Sequence, residues 1–491
     1  ISTVHSFCSS LLKEYSIEAD VPSDFILLEE QETNVLKLSA MEDAIELAYK
    51  KIESSPNLAA FINELAYGRD DSAIPAIILG VYDTIQSHPW PQEWEKQCIE
   101  NMDVGRYSDA AETVWGRYIM DDIIHSLAAQ KDIAENIRGL CEKDALLATA
   151  YAPTISTDIA KMEDAMRAKT WDEMFIAMTR QWNRFKPVRK SKDADIDVDL
   201  QDTVKRARDK YKALFDAKAK SLTGTSSEVL DDLRKTVPSI RGMFEMTSLF
   251  EKIYREKKNA RNALDFSDLE HMSIQLLVDA KTKKPTKTAE EVNQKYMEIM
   301  IDEYQDTNAV QETIFDAVST GYNKFMVGDI KQSIYAFRLA DPTIFLHHYR
   351  DYADYKTAEP SEPRKIILSK NFRSRPEILD ATNAIMKTCM SEEVGGMEYG
   401  EAEMLSSGRE DFKAIASPAV ELVAIDLERE SEVSSEVDDE IESIVKSDAE
   451  AMYVASRISR MLEVGELIQD DETGEMRPVK ASDIAILLRS T

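Results

Sequence analysis

Two groups of polar side chains in this sequence directly follow short apolar runs. Residues 297–301 are mainly apolar and lead into Asp302 and Glu303, and residues 324–327 lead into a polar segment that contains Gln332. Short apolar runs bounded by charge predict buried strands. Because open α/β sheets bind ligands beyond the C-terminal ends of their strands, we expect the two groups to serve one site.

The transfer of a phosphoryl group from a nucleoside triphosphate to water is a reaction that suits these side chains. It needs a hard cation on the phosphates, a group that orients or deprotonates the water, and donors for the γ-phosphate. We predict that Asp302 holds Mg²⁺, that Glu303 acts on the attacking water, and that Gln332 contacts the γ-phosphate. The alternative is that the Asp-Glu pair caps the next helix, which is more common for the dipeptide alone.

Longer strings around these positions resemble known motifs. Residues 302–308 (DEYQDTN), 327–335 (VGDIKQSIY) and 368–374 (LSKNFRS) resemble consecutive motifs of the UvrD/RecB group of superfamily 1 helicases. Residues 337–345 (FRLADPTIF) are most similar to AddA subunits of bacterial AddAB helicase-nucleases. The resemblance implies an ATP-dependent DNA helicase that uses ATP and Mg²⁺. It also implies a role in double-strand-break repair and recombination, an AddB-type partner protein, and a nuclease domain.

The resemblance implies roles for five further residues. Phe372 would stack on the adenine, and Arg373, presented by a second domain, would stabilise the γ-phosphate charge as that domain closes. Tyr335 and Phe337 would stack on unpaired DNA bases, and Arg338 would lie near the DNA. Two aromatic side chains spaced two apart on an extended segment do point the same way, although isolated aromatic residues more often belong to the core.

The first residues, 1–8 (ISTVHSFC), resemble the helicase motif that follows the phosphate-binding loop and touches the DNA strand. On that basis Thr3 and His5 are candidate DNA-backbone contacts, and the alternative is an ordinary helix cap. No Gly-Lys dipeptide occurs, so the G-x-x-x-x-G-K-[ST] loop is absent. We therefore expect an internal piece of a larger enzyme that does not hydrolyse ATP by itself.

Composition limits the classes of function. The 491 residues include 91 acidic and 60 basic residues, a net charge of −31, which disfavours indiscriminate nucleic-acid binding. Four scattered cysteines without a C-x-x-C pair predict reduced thiols and no cysteine-built metal site. Because the sequence has no apolar run of about 18 residues, it predicts a cytoplasmic protein without a membrane span.

We expect an α/β fold of incomplete RecA-like P-loop NTPase domains with a large all-helical insertion, helix-rich overall. The predicted parts are residues 1–10 of a first RecA-like domain, a helical insertion over 11–262, the remainder of the first domain over 263–358, and a partial second domain over 359–491. Asp265 is predicted to start a helix at the return from the insertion. Further strands are predicted at residues 365–368, 419–425 and 484–489.

A basic segment lies within the predicted insertion. Residues 180–262 contain 21 Lys and Arg against 13 Asp and Glu, a net charge of +8. This balance predicts a DNA-facing surface, and the alternative is a set of solvated helix faces. The candidate phosphate contacts are Arg184, Lys186, Arg189, Lys190, Lys205, Arg206, Arg208, Lys210, Lys212, Lys252, Arg255, Lys257, Lys258 and Arg261.

Two other classes of protein remain as alternatives at this point. One is a UvrD-like helicase without a nuclease domain, against which the residues at 338–342 and the length of the helical insertion argue. The other is a non-catalytic DNA-binding scaffold. A scaffold gives no chemical reason to keep Asp302, Glu303, Gln332 and Arg373 together.

Overall fold

The structure, a computed structural model, describes residues 1–65, 72–188, 196–334, 339–413, 420–425, 439–470 and 473–488. The predicted DNA contacts Tyr335, Phe337 and Arg338 lie outside these residues. The chain divides into two compact units. The first comprises residues 1–327 and 334–341, and the second comprises residues 328–333 and 342–491.

The first unit is built mainly from helices. They are α1 Val4–Glu14, α2 Glu30–Lys51, α3 Pro56–Leu65, α4 Ile74–Gln86, α5 Pro91–Asn101, α6 Val114–Cys141, α7 Ala145–Ala150, α8 Ala152–Met166, α9 Trp171–Thr179, α10 Val198–Ala219, α11 Ser226–Asn259, α12 Phe266–Leu277, α13 Lys287–Asn293 and α14 Ala309–Val318. Its strands are β1 Ile26–Leu27, β2 Ala263–Leu264, β3 Ile299–Ile301 and β4 Lys324–Met326. Short 3₁₀ helices cover Val104–Arg106, Ala110–Glu112 and Tyr304–Asp306.

The region predicted to be an all-helical insertion contains the strand β1, so the prediction is wrong there. β1 pairs in parallel with β2, and the backbone N–H of Ile26 donates to the carbonyl of Asn262 at 2.9 Å. The two residues of β1 are too few to give an alternating pattern, which is why the sequence did not reveal them. Elsewhere between residues 11 and 262, the regular elements that the structure describes are helices.

Three apolar cores stabilise this unit. One lies among α6 to α10, a second among α2, α3, α4 and α11, and a third among α1, α12, α13 and α14. Helices α3 and α11 approach closely at Gly242, where an added Cβ would collide with the carbonyl oxygen of Asn57. The glycine is therefore needed for this approach.

The return from α11 to α12 is fixed by a buried ionic cluster. Asp265 caps α12 by accepting from the N–H of Asp268 at 2.8 Å, which confirms the predicted helix start. The other carboxylate oxygen of Asp265 accepts from Lys258 at 2.9 Å and from the Tyr254 hydroxyl at 2.8 Å. Since a buried charge needs a partner, these contacts stabilise the junction.

The second unit has shorter elements. Its helices are α15 Pro342–Asp351, α16 Pro376–Cys389, α17 Glu392–Gly395 and α18 Asp439–Val464, and 3₁₀ helices cover Ile330–Gln332 and Ala481–Asp483. Its strands are β5 Ala353–Asp354, β6 Arg364–Lys365, β7 Lys370–Asn371, β8 Ser406–Ser407, β9 Leu467–Gln469 and β10 Met476–Pro478. The pairs β5–β6 and β7–β8 are parallel, and β9–β10 is antiparallel.

Three strand predictions in this unit are wrong or only partly right. Of residues 365–368 only Lys365 lies in a strand. Within the predicted strands 419–425 and 484–489, residues 420–425 and 484–488 form no strand, and residues 419 and 489 lie outside the described residues. Ile366 and Leu368 are 56% and 80% exposed. An apolar run forms a strand only where a neighbouring strand takes up its backbone hydrogen bonds, and these described residues have no such neighbour. No helix in the described part of the chain combines the length and the apolar composition needed to cross a bilayer.

Candidate active site

The predicted carboxylates lie at the end of a pair of parallel strands. β3 and β4 align Ile299 with Lys324 and Ile301 with Met326, as neighbouring strands. Beyond them, the N–H of Tyr304 donates to the carbonyl of Val327 at 2.9 Å. This confirms both predicted strands, and it places Asp302 and Glu303 at the C-terminal end of β3.

Glu303 adopts a backbone conformation that is unusual for a residue with a side chain. Its φ of 50° and ψ of 43° lie in the left-handed region, directly before the 3₁₀ helix Tyr304–Asp306. Such conformations cost about 1–3 kcal/mol and cluster at functional sites. The chain turns sharply here, and the side chains of Asp302 and Glu303 are both exposed.

A buried amide holds the carboxylate of Glu303. Gln305 is 1% exposed, and its Nε2 donates to Oε2 of Glu303 at 2.7 Å. The same Nε2 lies 3.5 Å from Oδ2 of Asp306. The sequence pattern does not distinguish Gln305 from its polar neighbours, because a buried amide and an exposed amide look alike in a polar motif. The contact restricts the rotation of the carboxylate that is predicted to act on water.

Asp306 is under electrostatic strain. Its Oδ1 is buried and has no hydrogen-bond partner among the described residues. Burial, followed by the nearby charge of Glu303, raises the pKa of Asp306 above its ordinary value. The motif therefore places two like charges close together.

The alternative role for the Asp-Glu pair, as a cap, does not describe the start of α14. Asn308 caps this helix instead, accepting from the N–H of Gln311 at 2.9 Å. Tyr304 is fully buried, and its hydroxyl bonds to Glu312, which also pairs with Lys324 at 3.2 Å. These contacts attach the turn after β3 to α14 and β4, so Asp302 and Glu303 are not needed for that purpose.

The surroundings of Asp302 fit a magnesium ion bound by one carboxylate. Its Oδ1 accepts from the N–H of Glu303 at 3.0 Å, and it makes no other hydrogen bond with the residues that the structure describes. Within those residues, no group of three or more His, Cys, Asp or Glu side chains could form a metal cage. Mg²⁺ is usually held by one or two carboxylates together with water and substrate phosphates, so a single exposed carboxylate is suitable.

Gln332 belongs to a small polar turn in the second unit. Its Nε2 donates to Oδ2 of Asp329 at 3.0 Å, and Lys331 pairs with Oδ1 of Asp329 at 2.7 Å. Burial by itself would raise the pKa of Asp329, but the hydrogen bonds from Lys331 and Gln332 outweigh it and lower the pKa. The carboxylate stays ionised and orients the exposed side chain of Gln332.

Phe372 and Arg373 follow β7 in the second unit. Oδ1 of Asn371 accepts from the N–H groups of Arg373 and Ser374 at 2.9 and 2.7 Å, which fixes the turn. Phe372 is 63% exposed, and Arg373 is exposed as well. The guanidinium of Arg373 forms no ion pair with a described residue, which leaves its donors open to an anion.

The structure places Thr3 at the N-cap of α1 and His5 in its first turn. Oγ1 of Thr3 accepts from the N–H of Ser6 at 3.2 Å and caps the helix, as the structural alternative predicted. Nε2 of His5 lies 3.2 Å from Oε1 of Glu270, and Gln311 donates to the same oxygen at 2.9 Å. Glu270 thus connects α1 to the helix that follows the carboxylate motif, and the DNA contacts remain a prediction.

Two of the candidate phosphate contacts in the basic segment are wrong. Arg208 is 5% exposed and pairs with Asp158 at 2.7 Å, and Lys258 is 3% exposed in the cluster with Asp265. Both cations already have buried partners, so they do not reach solvent. Arg189 and Lys190 lie outside the described residues.

The chain also matches known proteins. The model of the UvrD/REP helicase N-terminal domain matches residues 1–353. The chain belongs to the UvrD/REP helicase family. This confirms the resemblance drawn from the motifs at 302–308 and 327–335.

Relatives of this UvrD/REP family chain carry a more specific name. The chain is 33% identical over 512 residues to the A subunit of the ATP-dependent helicase/nuclease of Lysinibacillus sphaericus, covering 100% of the chain and 40% of that protein. It is 33% identical over 525 residues to the protein of the same name from Ruminiclostridium cellulolyticum, and 31% identical over 527 residues to that of Acetivibrio thermocellus. In each of these two cases the alignment covers 100% of the chain and 41% of the relative. The chain thus spans about two fifths of the length of these relatives.

Proposed function

We propose that this chain is part of an ATP-driven DNA helicase subunit of a helicase-nuclease that acts in double-strand-break repair and recombination. The observation that carries the proposal is the parallel pair β3–β4, at whose end Glu303 is held by buried Gln305. The oriented carboxylate of Glu303 lies next in sequence to the exposed carboxylate of Asp302, which is a hard oxygen ligand. This pair suits hydrolysis of a nucleoside triphosphate. The relatives' names favour a helicase with a nuclease over a UvrD-like helicase without one.

Each predicted residue receives one role in this proposal. Asp302 holds Mg²⁺, which neutralises charge on the phosphates when ATP is bound. Glu303 orients the attacking water and accepts its proton, and its fixed carboxylate lowers the reorganisation required. Gln332 donates to the γ-phosphate, and Arg373 stabilises the negative charge that develops there. Phe372 stacks on the adenine.

The same proposal assigns the DNA contacts. Tyr335 and Phe337 stack on successive bases of a single strand, which requires no particular sequence. Thr3, His5 and Arg338 contact or approach the DNA backbone. We further propose RecA-like domains with the boundaries given above, an AddB-type partner in a heterodimer, and a cytoplasmic location.

The test is ATP hydrolysis by the full-length gene product, measured with and without single-stranded DNA. We expect strong stimulation by DNA and a loss of about 100-fold or more in kcat in Glu303→Gln, which keeps the size but not the charge of the side chain. Glu298→Gln is a matched control, because Glu298 is exposed and lies five residues earlier in the same segment. Its kcat should stay within about twofold of the parent.

The same samples separate the alternatives. Degradation of linear duplex DNA by the full-length protein would support the helicase-nuclease, and its absence would favour the helicase without a nuclease. ATP hydrolysis that DNA does not stimulate, or that survives Glu303→Gln, would contradict our assignment. DNA binding without any ATP hydrolysis would favour the non-catalytic scaffold.

A further inference from the structure

Phe372 rests against Gly408 in the second unit. The parallel pair β7–β8 aligns Lys370 with Ser406 and Asn371 with Ser407. The N–H of Gly408 donates to the carbonyl of Asn371 at 2.8 Å, which continues the pairing by one residue. Gly408 is therefore brought next to Phe372 by the strand register.

The Phe372 ring occupies the space that a side chain at position 408 would fill. A Cβ built on Gly408 would lie 2.7 Å from Cδ1 and Cζ of the ring, and closer still to Cε1. Such distances are shorter than real carbon–carbon contacts, so either the ring or the strand would have to move. The ring is thus in direct contact with the glycine backbone on one side, while 63% of the residue is open to solvent.

The backbone of Gly408 does not itself require glycine. Its φ lies outside the left-handed region, in contrast to Gly396, Gly465 and Gly474. Its neighbours also hold it in place, because Oγ of Ser407 donates to the carbonyl of Arg409 at 3.0 Å and accepts from its N–H at 3.3 Å. The absence of a side chain at position 408 is therefore needed to make room for the Phe372 ring and not to form the turn.

We propose that Gly408 is a positioning residue for the nucleotide base. Contact with its backbone fixes the plane of the Phe372 ring, so that the exposed face of the ring is preorganised to stack on a planar purine. The proposal rests on the adenine-stacking role proposed above for Phe372. An exposed aromatic side chain otherwise samples several rotamers, and holding one of them reduces the entropy lost on binding.

The test uses the full-length gene product and the Michaelis constants for ATP and CTP. We expect Gly408→Ala to raise the KM for ATP about fivefold, with kcat changed by less than about twofold. The substitution weakens stacking on the base and leaves the groups that act in hydrolysis unchanged. The smaller pyrimidine base stacks over less area, so the KM for CTP should change less. A purely structural defect would not produce this dependence on the base.

Three variants complete the experiment. Phe372→Ala removes the ring, and in combination with Gly408→Ala it should raise the KM no further than by itself. Gly139→Ala is the matched control: a Cβ there meets nothing within 4 Å, so its KM should equal that of the parent. Ser407→Ala keeps the glycine and loosens its support, which provides a second test if Gly408→Ala does not fold. A raised KM in Ser407→Ala would support the proposal, and an unchanged KM would contradict it.

The outcomes distinguish this inference from the proposed function. If Phe372→Ala leaves the KM for ATP unchanged, the stacking role itself fails, and the role of Gly408 fails with it. If Phe372→Ala raises the KM but Gly408→Ala does not, only the inference about Gly408 is overturned. Additive effects in the double variant would also overturn it, because Gly408 would then act independently of the ring.

Discussion

Two turns that follow parallel strand pairs carry the predicted chemistry, and they are supported in opposite ways. After β3, the carboxylate of Glu303 is held by a buried side chain, and its backbone is in a strained left-handed conformation. After β7, Phe372 and Arg373 are exposed, and their turn is held by Asn371 through backbone amides. The first turn holds one carboxylate with a strained backbone, whereas the second presents exposed side chains. Substitutions should therefore act through geometry in the first turn and through loss of the side chain itself in the second.

After the loss expected for Glu303→Gln, the largest effect in this comparison is expected at Arg373. Arg373→Lys should lower the DNA-stimulated kcat about 100-fold, because a lysine does not reproduce the fork of donors that stabilises a phosphoryl group. Thermal unfolding should be unchanged, since the guanidinium makes no ion pair with a described residue. Steady-state ATPase assays and a melting curve of the full-length protein test both statements.

Arg364→Lys is the control for that experiment. Arg364 is exposed and donates to the carbonyl of Pro360 at 2.7 Å, in the same unit but outside the turn. It should keep full activity. An Arg373→Lys variant that stays within about twofold of the parent would remove Arg373 from the phosphate-binding group.

The next effect concerns the support of the first turn. Gln305→Leu should reduce kcat about tenfold with little change in the KM for ATP, because Glu303 remains but is no longer oriented. It should also lower the free energy of unfolding by about 1–3 kcal/mol, as expected when a buried hydrogen bond is removed. The measurements are kcat, KM and thermal unfolding.

Gln130→Leu separates stability from catalysis. Gln130 is also buried, at 2% exposure, and its Nε2 donates to Ser126 at 2.9 Å on α6. It removes a buried side-chain hydrogen bond that does not involve Glu303, so its kcat should equal that of the parent. Equal activity in Gln305→Leu and Gln130→Leu would show that the contact between Gln305 and Glu303 has no catalytic role.

The difference between the two turns also explains what the sequence could predict. Apolar runs with polar ends were enough to predict β3 and β4 and the position of Asp302 and Glu303. The burial of Gln305 and the contact between Phe372 and Gly408 depend on tertiary contacts, so composition and spacing contain no signal for them. The same reason accounts for Arg208, whose buried partner Asp158 lies 50 residues away in the sequence.

The strand predictions at 419–425 and 484–489 were wrong over their described residues for a related reason. An apolar run indicates a preference for burial or for extended structure. It does not reveal whether a second strand is present to pair with it. Where the partner strand is close in the sequence and separated by one helix, as for β3 and β4, the prediction held.

A smaller effect is expected from the support of the second turn. Asn371→Ala removes the acceptor for two N–H groups and should lower kcat/KM about three- to fivefold, since Phe372 and Arg373 remain but are less ordered. Asn371→Asp keeps the acceptor oxygen and should restore most of the activity. If the alanine and aspartate variants behave alike, the turn does not depend on these hydrogen bonds.

The smallest effect tests the strain in the first turn through its pH dependence. The pKa of Asp306 is raised in the folded protein by burial and then by the charge of Glu303, so folding favours its protonated form. Below the ordinary pKa of 3.8, both the folded and the unfolded chain carry the proton, and the carboxylate causes no loss of stability. Between pH 3.8 and the raised pKa, the unfolded chain releases this proton while the folded chain keeps it, so the fold loses stability, and the loss is complete above the raised pKa. Asp306→Asn cannot ionise, so its melting temperature should match that of the parent near pH 4 and exceed it by up to about 2 °C near pH 7. A constant difference across this range, or a lower melting temperature at neutral pH, would mean that Asp306 is not a source of strain and that the left-handed Glu303 carries it alone.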